Sequence, residues 1–301
     1  MVSVTPSTVE PPQCAAFDPA PHKPRITLPA NATDCHAHIC GPQDRYAYFA
    51  DRIYTPVDAV LPEYRHMLTT LGVTRAVLVQ PSVYGTDNTA MLDAMKTYGS
   101  ACRGVAVVAD DIAESELESM HAAGVRGVRV NIVDVKDRKA GTLPLAQLTA
   151  LAHKVRPFGW HMEFLLHVDE FPDLDGMLAD FPVPTVYGHL GYMKTDKGTA
   201  NPGFRALLRL MQAGRAWVKL TGPYRISTQP LPHVDTDDYA HALIEKAPAQ
   251  VVWGSDWPHV MVKGTMPNDG DLCDLLGNWI SDAAVRKQVL VDNPARLYGF
   301  A

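Results

Sequence analysis

The feature that most constrains the fold is a repeated alternation of short β-branched runs with longer stretches of helical periodicity. Runs such as RAVLVQ at 75–80 and QVVWGSDWP at 250–258 each follow an amphipathic stretch, and TDCHAHI at 33–39 opens the series. Strands that alternate with helices form parallel sheets with right-handed crossovers. Eight such strand–helix units in roughly 270 residues predict an α/β fold, a (β/α)8 TIM barrel.

An open, doubly wound sheet is the alternative architecture, but no G-x-G-x-x-G or G-x-x-x-x-G-K-[ST] motif follows any predicted strand. We therefore predict one barrel domain over residues 33–301. Residues 1–32 are rich in proline and lack the basic and apolar regions of a signal peptide. We expect them to form an extended N-terminal arm on the surface of the barrel.

Composition narrows the partners and the compartment. The 301-residue chain is 47% hydrophobic and has a formal net charge of −6, which gives no reason to expect nucleic acid or an anionic membrane surface as a partner. No apolar run approaches the length of a membrane span. Five cysteines without a C-x-x-C pair predict reduced thiols and a cytoplasmic location.

Histidines and an aspartate end four of the predicted strands. In a parallel barrel these ends gather at one face, where the chemistry of such barrels takes place. In a regular strand His36 and His38 point to the same side, while Cys35 and Ala37 face away. Each residue alone could be a strand cap or a turn residue, but the set predicts a site at the barrel mouth: His36, His38, His167, His189 and Asp256. Seven further histidines are expected to be structural or on the surface, and they include His161 and His259.

The same residues carry a family resemblance. An H-x-H on strand 1, histidines after strands 5 and 6 and an aspartate after strand 8 resemble the amidohydrolase superfamily. Five motifs, in order over nearly the whole chain, resemble the 2-pyrone-4,6-dicarboxylate lactonases and the 4-sulfomuconolactone hydrolases: DCHAHICGP, SVYGTDN, GVRGVRVN, VVWGSDWPH and DNPARLYGF. The resemblance implies a hydrolase that opens a small anionic lactone from aromatic-acid breakdown.

Lactone hydrolysis needs an activated water, stabilisation of the oxyanion and a proton for the leaving oxygen. Asp256 is expected to take the proton from water and to return it later. Three histidines are expected to donate hydrogen bonds to the carbonyl oxygen or to hold a metal that polarises it: His36, His38 and His189. The resemblance to the pyrone lactonases implies a site that works without a divalent metal.

One residue departs from that metal-free pattern. His167 ends strand 5, where the metal-using members of the superfamily place a ligand. Three imidazoles and one carboxylate would form a mononuclear site with room for water: His36, His38, His167 and Asp256. Strand 4 offers no lysine or glutamate to bridge two metals. One Zn²⁺ or none stays open at this point, and the sequence favours one.

Several polar residues are expected to select the substrate. Arg126 and Arg129 on strand 4 and Arg225 after strand 7 could bind carboxylate or sulfonate groups, although two arginines three residues apart face opposite ways in a regular strand. Residues after strand 2 could add hydrogen bonds: Ser82, Tyr84 and Asn88. Tyr192 stands where the pyrone lactonases have an arginine, which favours the sulfonated lactone over the pyrone dicarboxylate.

Three functions therefore compete. The first is hydrolysis of a doubly anionic lactone, most consistent with 4-sulfomuconolactone, which would give maleylacetate and sulfite, with 2-pyrone-4,6-dicarboxylate as the alternative substrate. The second keeps the barrel but changes the reaction to lactone isomerisation or to zinc-dependent decarboxylation or hydration, because a fold does not determine chemistry. The third is a non-enzymatic anion-binding barrel, which the catalytic residue types at the mouth disfavour.

Overall fold

The computed structural model describes residues 10–133 and 139–301. Within them, eight parallel strands pair in chain order. The strands are β1 Thr33–Ala37, β2 Arg75–Val79, β3 Cys102–Ala106, β4 Val125–Asn131, β5 His161–Leu165, β6 Thr185–Tyr187, β7 Ala216–Leu220 and β8 Val251–Trp253. The ring closes where the amide of Asp256 donates to the carbonyl of His36 and the amide of His38 donates to the carbonyl of Trp257, each at 2.8 Å. The predicted TIM barrel is confirmed.

Helices connect the strands and cover the outside of the barrel. They are α1 Leu61–Leu71, α2 Thr89–Tyr98, α3 Glu114–Ala122, α4 Leu145–Val155, α5 Leu174–Met177, α6 Pro202–Gln212, α7 Asp237–Lys246, α8 Asp269–Trp279, α9 Ala283–Lys287 and α10 Asn293–Tyr298. In α6 the side chain of Asn201 accepts from the first free amides of the helix, and Pro202 occupies the first turn, where no amide partner is lost. Its buried face includes Phe204, Leu207 and Leu210, at the spacing of an amphipathic helix.

Apolar side chains form two layers, one on each side of the strands. The larger layer packs the helices against the barrel. The smaller layer fills the part of the interior below the strand ends, and its members are Cys35, Val77, Val79, Val105, Val186, Trp217, Val252, Tyr298 and Phe300. The barrel is thus packed beneath its mouth, as expected for this fold.

Cys35 does not face away from the interior, as a regular strand predicts. The pairing of β1 with β2 shifts register between Asp34 and Ala37. At such a bulge, two residues of one strand oppose a single residue of its partner. Cys35 therefore joins the inner layer, while the next residue, His36, also reaches the interior. Ala37 packs in the outer layer, as predicted.

Residues 10–32 precede β1 and pack on two other parts of the chain. The amide of Cys14 donates to the carbonyl of Thr55, in the segment between β1 and α1, at 2.8 Å. The guanidinium of Arg25 donates to the carboxylate of Asp274 on α8, also at short range (2.7 Å). None of the helices in the described residues is long and apolar enough to cross a bilayer.

Candidate active site

Asp34 ties the end of β1 to the segment that follows β8. Its buried carboxylate accepts from the amides of His36 and Ser255, at 3.0 and 2.9 Å, and from the hydroxyls of Ser255 and Tyr64, at 2.5 and 3.0 Å. Burial raises the pKa of Asp34 to about 6, although these donors favour the ionised form. Because His36 and Ser255 share one acceptor, His36 and the neighbouring Asp256 are held close together.

Asp256 lies in the left-handed region of backbone space, with φ at 68°, a conformation that aspartate adopts more readily than most residues. Its Oδ2 atom accepts from the hydroxyl of Tyr224 and from Nε of Arg225, each at 2.6 Å. Burial alone would raise the pKa of Asp256, but the charge of Arg225, with smaller contributions from His189 and His36, lowers it well below its ordinary value. The carboxylate is therefore ionised at neutral pH.

Two polar atoms face each other at the centre of the site. Nε2 of His36 lies 3.7 Å from Oδ1 of Asp256, and both atoms are buried without a hydrogen-bond partner. Buried polar atoms are normally satisfied, so an unpaired couple of this kind indicates a place for a ligand, a water or an ion. This is where a reacting group would be held.

The proton positions on His38 and His189 follow from their backbone partners. Nδ1 of His38 donates to the carbonyl of Val79 at 2.8 Å, and Nδ1 of His189 donates to the carbonyl of Thr221 at 3.3 Å. A carbonyl can only accept, so a neutral ring at either position has its proton on Nδ1 and a lone pair on Nε2. Both rings offer an acceptor or a metal ligand at Nε2, which suits the expected alternative of holding a metal better than donation to the carbonyl.

Three of the residues could hold a metal ion. In the described part of the chain, His36, His189 and Asp256 place their ligand atoms within 4.8 Å of one another. Two nitrogens and one oxygen leave coordination positions for water, as in catalytic zinc sites. We call these three residues the His/His/Asp group.

The predicted ligand set named His38 and His167 in place of His189. The structure does not bring His167 into the His/His/Asp group. The Nδ1 atom of His167 donates to the carbonyl of Tyr192 at 2.6 Å, and its ring stacks on the Tyr192 ring with centroids 4.6 Å apart. His38 lies beside His36, with ring centroids 5.0 Å apart, but outside the group.

Burial keeps the imidazoles of the interior neutral. It lowers the pKa of His38 to about 4, lowers the pKa of His189 and His161 to about 3, and takes the pKa of His36 well below its ordinary value. We refer to these four residues as the interior histidines. At neutral pH the uncharged rings of the site therefore lie beside the ionised carboxylate of Asp256.

A buried ion pair, which sequence reasoning missed, lies beside His36. Nζ of Lys219 on β7 is 2.5 Å from Oε2 of Glu163 on β5, and both side chains are almost fully buried. Burial alone would raise the pKa of Glu163, but the charge of Lys219, followed by His36, lowers it well below its ordinary value. The signal in the sequence is a single charged residue inside each of two otherwise buried strands, HMEFL and AWVKL.

This ion pair reaches Nδ1 of His36 from two sides. Lys219 Nζ is 3.2 Å from that nitrogen and Glu163 Oε1 is 3.3 Å from it. An ammonium can only donate and a carboxylate can only accept, so the pair accommodates both tautomers of the ring. With the proton on Nδ1, Nε2 is a ligand; with the proton on Nε2, it is a donor.

The two arginines of β4 have different surroundings. Arg129 pairs in register with Glu163, so it faces the barrel interior, and it donates to the carbonyl of Gln80 at 3.0 Å. Arg126 lies near the start of β4 and donates to the carbonyls of His121 and Val125, at 2.9 and 2.7 Å. Only Arg129 is brought toward the site.

Arg225 is engaged differently from the expectation that it binds the substrate. Its Nε donates to Asp256, and its Nη2 donates to the carbonyl of Val260 at 3.0 Å. Burial would lower the pKa of Arg225, but the charge of Asp256 raises it above its ordinary value. The guanidinium therefore holds the carboxylate of Asp256 in place and favours its ionised form.

The polar residues that follow β2 are largely used within the fold. Both amide hydrogens of Asn88 are donated to backbone carbonyls, at 2.9 and 2.8 Å, and its oxygen accepts from the amide of Val107 at 3.1 Å. The hydroxyl of Tyr84 accepts from the amide of Gly41 at 2.7 Å. The side chain of Ser82 lies beside the hydroxyl of Tyr54 and lowers its pKa, although burial raises that pKa overall. These contacts shape the loop after β2.

Tyr192 lies between two histidines of the mouth. Its backbone is left-handed, with φ at 53°, and its ring centroid is 4.6 Å from that of His167 and 5.1 Å from that of His189. The aromatic ring thus stands beside the His/His/Asp group.

The fold and this arrangement of residues define the class of protein. Residues 33–300 match the family model described as Amidohydrolase. The chain belongs to the amidohydrolase family, as its motifs predicted.

Within the family the chain is similar to hydrolases of anionic lactones. It is 35% identical to the 2-pyrone-4,6-dicarboxylate hydrolase of Comamonas testosteroni, with 92% of this chain and 93% of that protein covered. It is 34% identical to the 4-sulfomuconolactone hydrolase of Hydrogenophaga intermedia, with 91% of each covered. The structure of a probable 2-pyrone-4,6-dicarboxylic acid hydrolase from Acinetobacter baumannii, with citric acid bound, matches with a TM-score of 0.77 and 26% identity over 90% of this chain and 100% of that one.

Proposed function

We propose that the protein hydrolyses a small lactone that carries two anionic groups. The observation that carries this proposal is the pair of unpartnered buried atoms, Nε2 of His36 and Oδ1 of Asp256, held 3.7 Å apart at the end of the strands. An ionised carboxylate with one free oxygen is suited to accept a proton from water. The relatives that act on such lactones are similar over nearly the whole chain.

The reaction divides into steps that this chain's residues can perform. Water, held by Oδ1 of Asp256, gives up a proton to the carboxylate as its oxygen bonds to the lactone carbonyl carbon. His36, in the tautomer with its proton on Nε2, donates to the carbonyl oxygen as negative charge develops. The carbon–oxygen bond of the ring then breaks, and Asp256 returns the proton to the leaving oxygen. The products are a carboxylic acid and an alcohol, so one water is consumed.

The His/His/Asp group also fits a zinc ion, because the carbonyl partner of His189 fixes its lone pair on Nε2 and the unpaired Oδ1 of Asp256 is a second ligand. Bound there, zinc would polarise the lactone carbonyl and lower the pKa of water. We propose one zinc ion at this group. With zinc bound, His36 would take the other tautomer and donate from Nδ1 to Glu163, so the zinc ion, and not a proton on Nε2, would polarise the carbonyl.

We propose 4-sulfomuconolactone as the substrate, with 2-pyrone-4,6-dicarboxylate as the alternative. Arg129 faces the interior and can bind one anionic group, while Arg225 is bonded to Asp256. Tyr192 stands at the mouth where the pyrone lactonases have an arginine, so this site offers one guanidinium fewer than theirs for binding a dicarboxylate. After ring opening, the carbon that bears both hydroxyl and sulfonate would release sulfite and become a ketone, which gives maleylacetate.

We also propose a cytoplasmic location and a domain boundary at residue 33. All five cysteines are free, which suits a reducing compartment. The family match begins at residue 33, directly after the arm.

The function is tested by offering both lactones to the purified protein and following ultraviolet absorbance, acid release and sulfite. Asp256→Asn should lower turnover by about 10²–10⁴-fold, because an amide cannot accept the proton of water. Asp274→Asn is the matched control, since Asp274 also binds an arginine but lies on α8, at the arm. It should keep wild-type turnover.

Three results would redirect the proposal. Loss of the lactone without acid release would indicate an isomerase. Near-normal turnover of Asp256→Asn would remove Asp256 from the mechanism. Equal efficiency on both lactones would refute the argument from Tyr192.

A further inference from the structure

A series of hydrogen-bonded, buried polar side chains connects Asp256 to α8. The hydroxyl of Tyr224, which donates to Oδ2 of Asp256 at 2.6 Å, lies 2.9 Å from Nδ1 of His259. Nε2 of His259 lies 3.1 Å from Oδ1 of Asp269, the first residue of α8. His259 and Asp269 are almost completely buried. His259, expected from the sequence to be structural or on the surface, is thus linked to the proposed base.

The donors and acceptors of this hydrogen-bonded series determine where its protons lie. Tyr224 has one hydroxyl hydrogen, and Asp256, being ionised, can only accept it. The Tyr224 oxygen must then accept from Nδ1 of His259, so that nitrogen has a proton. The contact between Nε2 and Asp269 needs a second proton, either on the ring or on the carboxyl group. His259 and Asp269 together therefore hold one proton more than a neutral imidazole and a carboxylate.

The proton on Nδ1 of His259 determines how the carboxylate of Asp256 is held. If the ring nitrogen facing Tyr224 always donates, the tyrosine hydroxyl cannot turn toward His259 and must donate to Oδ2. Together with Nε of Arg225, it gives Oδ2 two donors and leaves Oδ1 without one. The carboxylate is thereby oriented with one oxygen held and the other facing His36.

We propose that Tyr224, His259 and Asp269 are positioning residues for the base. They hold the hydroxyl hydrogen of Tyr224 on Oδ2 of Asp256, so that Oδ1 remains available to water. None of the three touches the reacting atoms. The proposal rests on the proposed function, because that function makes Asp256 the base.

The test uses two substitutions of His259 that preserve different contacts. Asparagine places its amide near the position of Nδ1, so His259→Asn can still donate to Tyr224. Glutamine places its amide near Nε2, so His259→Gln keeps the contact with Asp269 and loses the one with Tyr224. With the lactone that the wild type hydrolyses, His259→Gln and Tyr224→Phe should lower kcat by about 10–100-fold, the range for partners that orient a catalytic group, with little change in KM.

His259→Asn should keep kcat within about threefold of wild type, since the donor to Tyr224 remains. Trp279→Phe, which removes the indole bond to Asp237 at 2.8 Å elsewhere on α8, controls for the loss of a hydrogen bond as such. Equal losses in His259→Asn and His259→Gln, or a change confined to KM, would overturn the positioning role.

A second measurement does not depend on turnover. Nitrogen-15 NMR of histidine-labelled wild-type protein, assigned with His259→Asn, should show protons on Nδ1 of His259 and in the contact between Nε2 and Asp269. Asp269→Asn should remove the second of these protons. A His259 ring with a bare Nδ1 would overturn the proposal. A wild type inactive on every lactone, with the expected spectrum, would refute the proposed function and leave the hydrogen-bond chain established.

Discussion

Replacing Lys219 with methionine should lower the free energy of unfolding of the barrel more than any single substitution on the surface. The ammonium of Lys219 is completely buried and lies 2.5 Å from Oε2 of Glu163. Methionine has a similar length and no charge, so the carboxylate of Glu163 would remain in the interior without its partner. Breaking a buried ion pair by removing one partner typically costs about 3–5 kcal/mol, and we expect this loss in the free energy of unfolding.

The structure also predicts how the loss is recovered. In the double variant Lys219→Met with Glu163→Gln, no buried charge is left unpaired, and replacing a buried pair by neutral groups is often nearly neutral for stability. Most of the lost stability should return. Turnover should not return in full, because Nδ1 of His36 would lose its ammonium donor and would face a neutral amide in place of the carboxylate.

Urea unfolding at pH 7, followed by circular dichroism, measures these differences. Arg209→Met is the matched control, because it breaks an exposed ion pair with Asp175 that solvent screens, and it should change stability little. A stability of Lys219→Met within about 1 kcal/mol of wild type, against the 3–5 kcal/mol expected for a broken buried pair, would refute the reasoning. A double variant as unstable as the single one would refute it equally.

Three further predictions concern the substrate, the metal and pH. Arg129→Ala should weaken binding of the dianionic lactone by about 2–5 kcal/mol, which would be measured as a higher KM. Arg126→Ala is the control and should leave kcat and KM unchanged. Equal effects of the two substitutions would contradict the assignment of Arg129 to the site. Calorimetric titration with zinc should find one site in wild type, none in His189→Ala and an intact site in His167→Ala. The opposite result, loss of the site in His167→Ala and an intact site in His189→Ala, would restore the ligand set expected from the sequence. The free energy of unfolding should fall as pH is lowered from about 6.5 toward 4, because the interior histidines take up protons in the unfolded chain but stay neutral in the folded one. Each of these histidines should lower the free energy of unfolding by at most about 1.4 kcal/mol per pH unit. Asp34, with its pKa raised to about 6, opposes this slope by holding a proton in the folded state, and a flat profile of unfolding free energy would contradict the burial of neutral rings.

The barrel and the location of its mouth can be read from the sequence for a local reason. Strand and helix periodicity is a property of neighbouring residues, and parallel strands bring their carboxyl ends to one face whatever their loops do. His36, His189 and Asp256 each end such a strand, so their proximity follows from the topology. The family was equally readable, because its motifs are short and local.

The partners of each side chain depend on long-range geometry. Glu163 and Lys219 are 56 positions apart, and neither strand by itself reveals that the other carries the opposite charge. The register of β4 with β5 decides that Arg129 faces inward, while Arg126 is used at the start of the strand. A one-residue bulge in β1 turns Cys35 inward.

Long-range geometry also decides that Arg225 binds Asp256 and that His259 is linked to it. A loop arginine beside an anion-binding mouth is a reasonable substrate ligand from its sequence alone, but the loop after β7 carries it onto Asp256. His259 reaches Tyr224 only because the segments after β7 and β8 are adjacent in the closed barrel, and it reaches Asp269 because the segment after β8 folds back onto the start of α8. Sequence determines which residues reach the mouth; packing determines which atom of each is bound and which is left free to react.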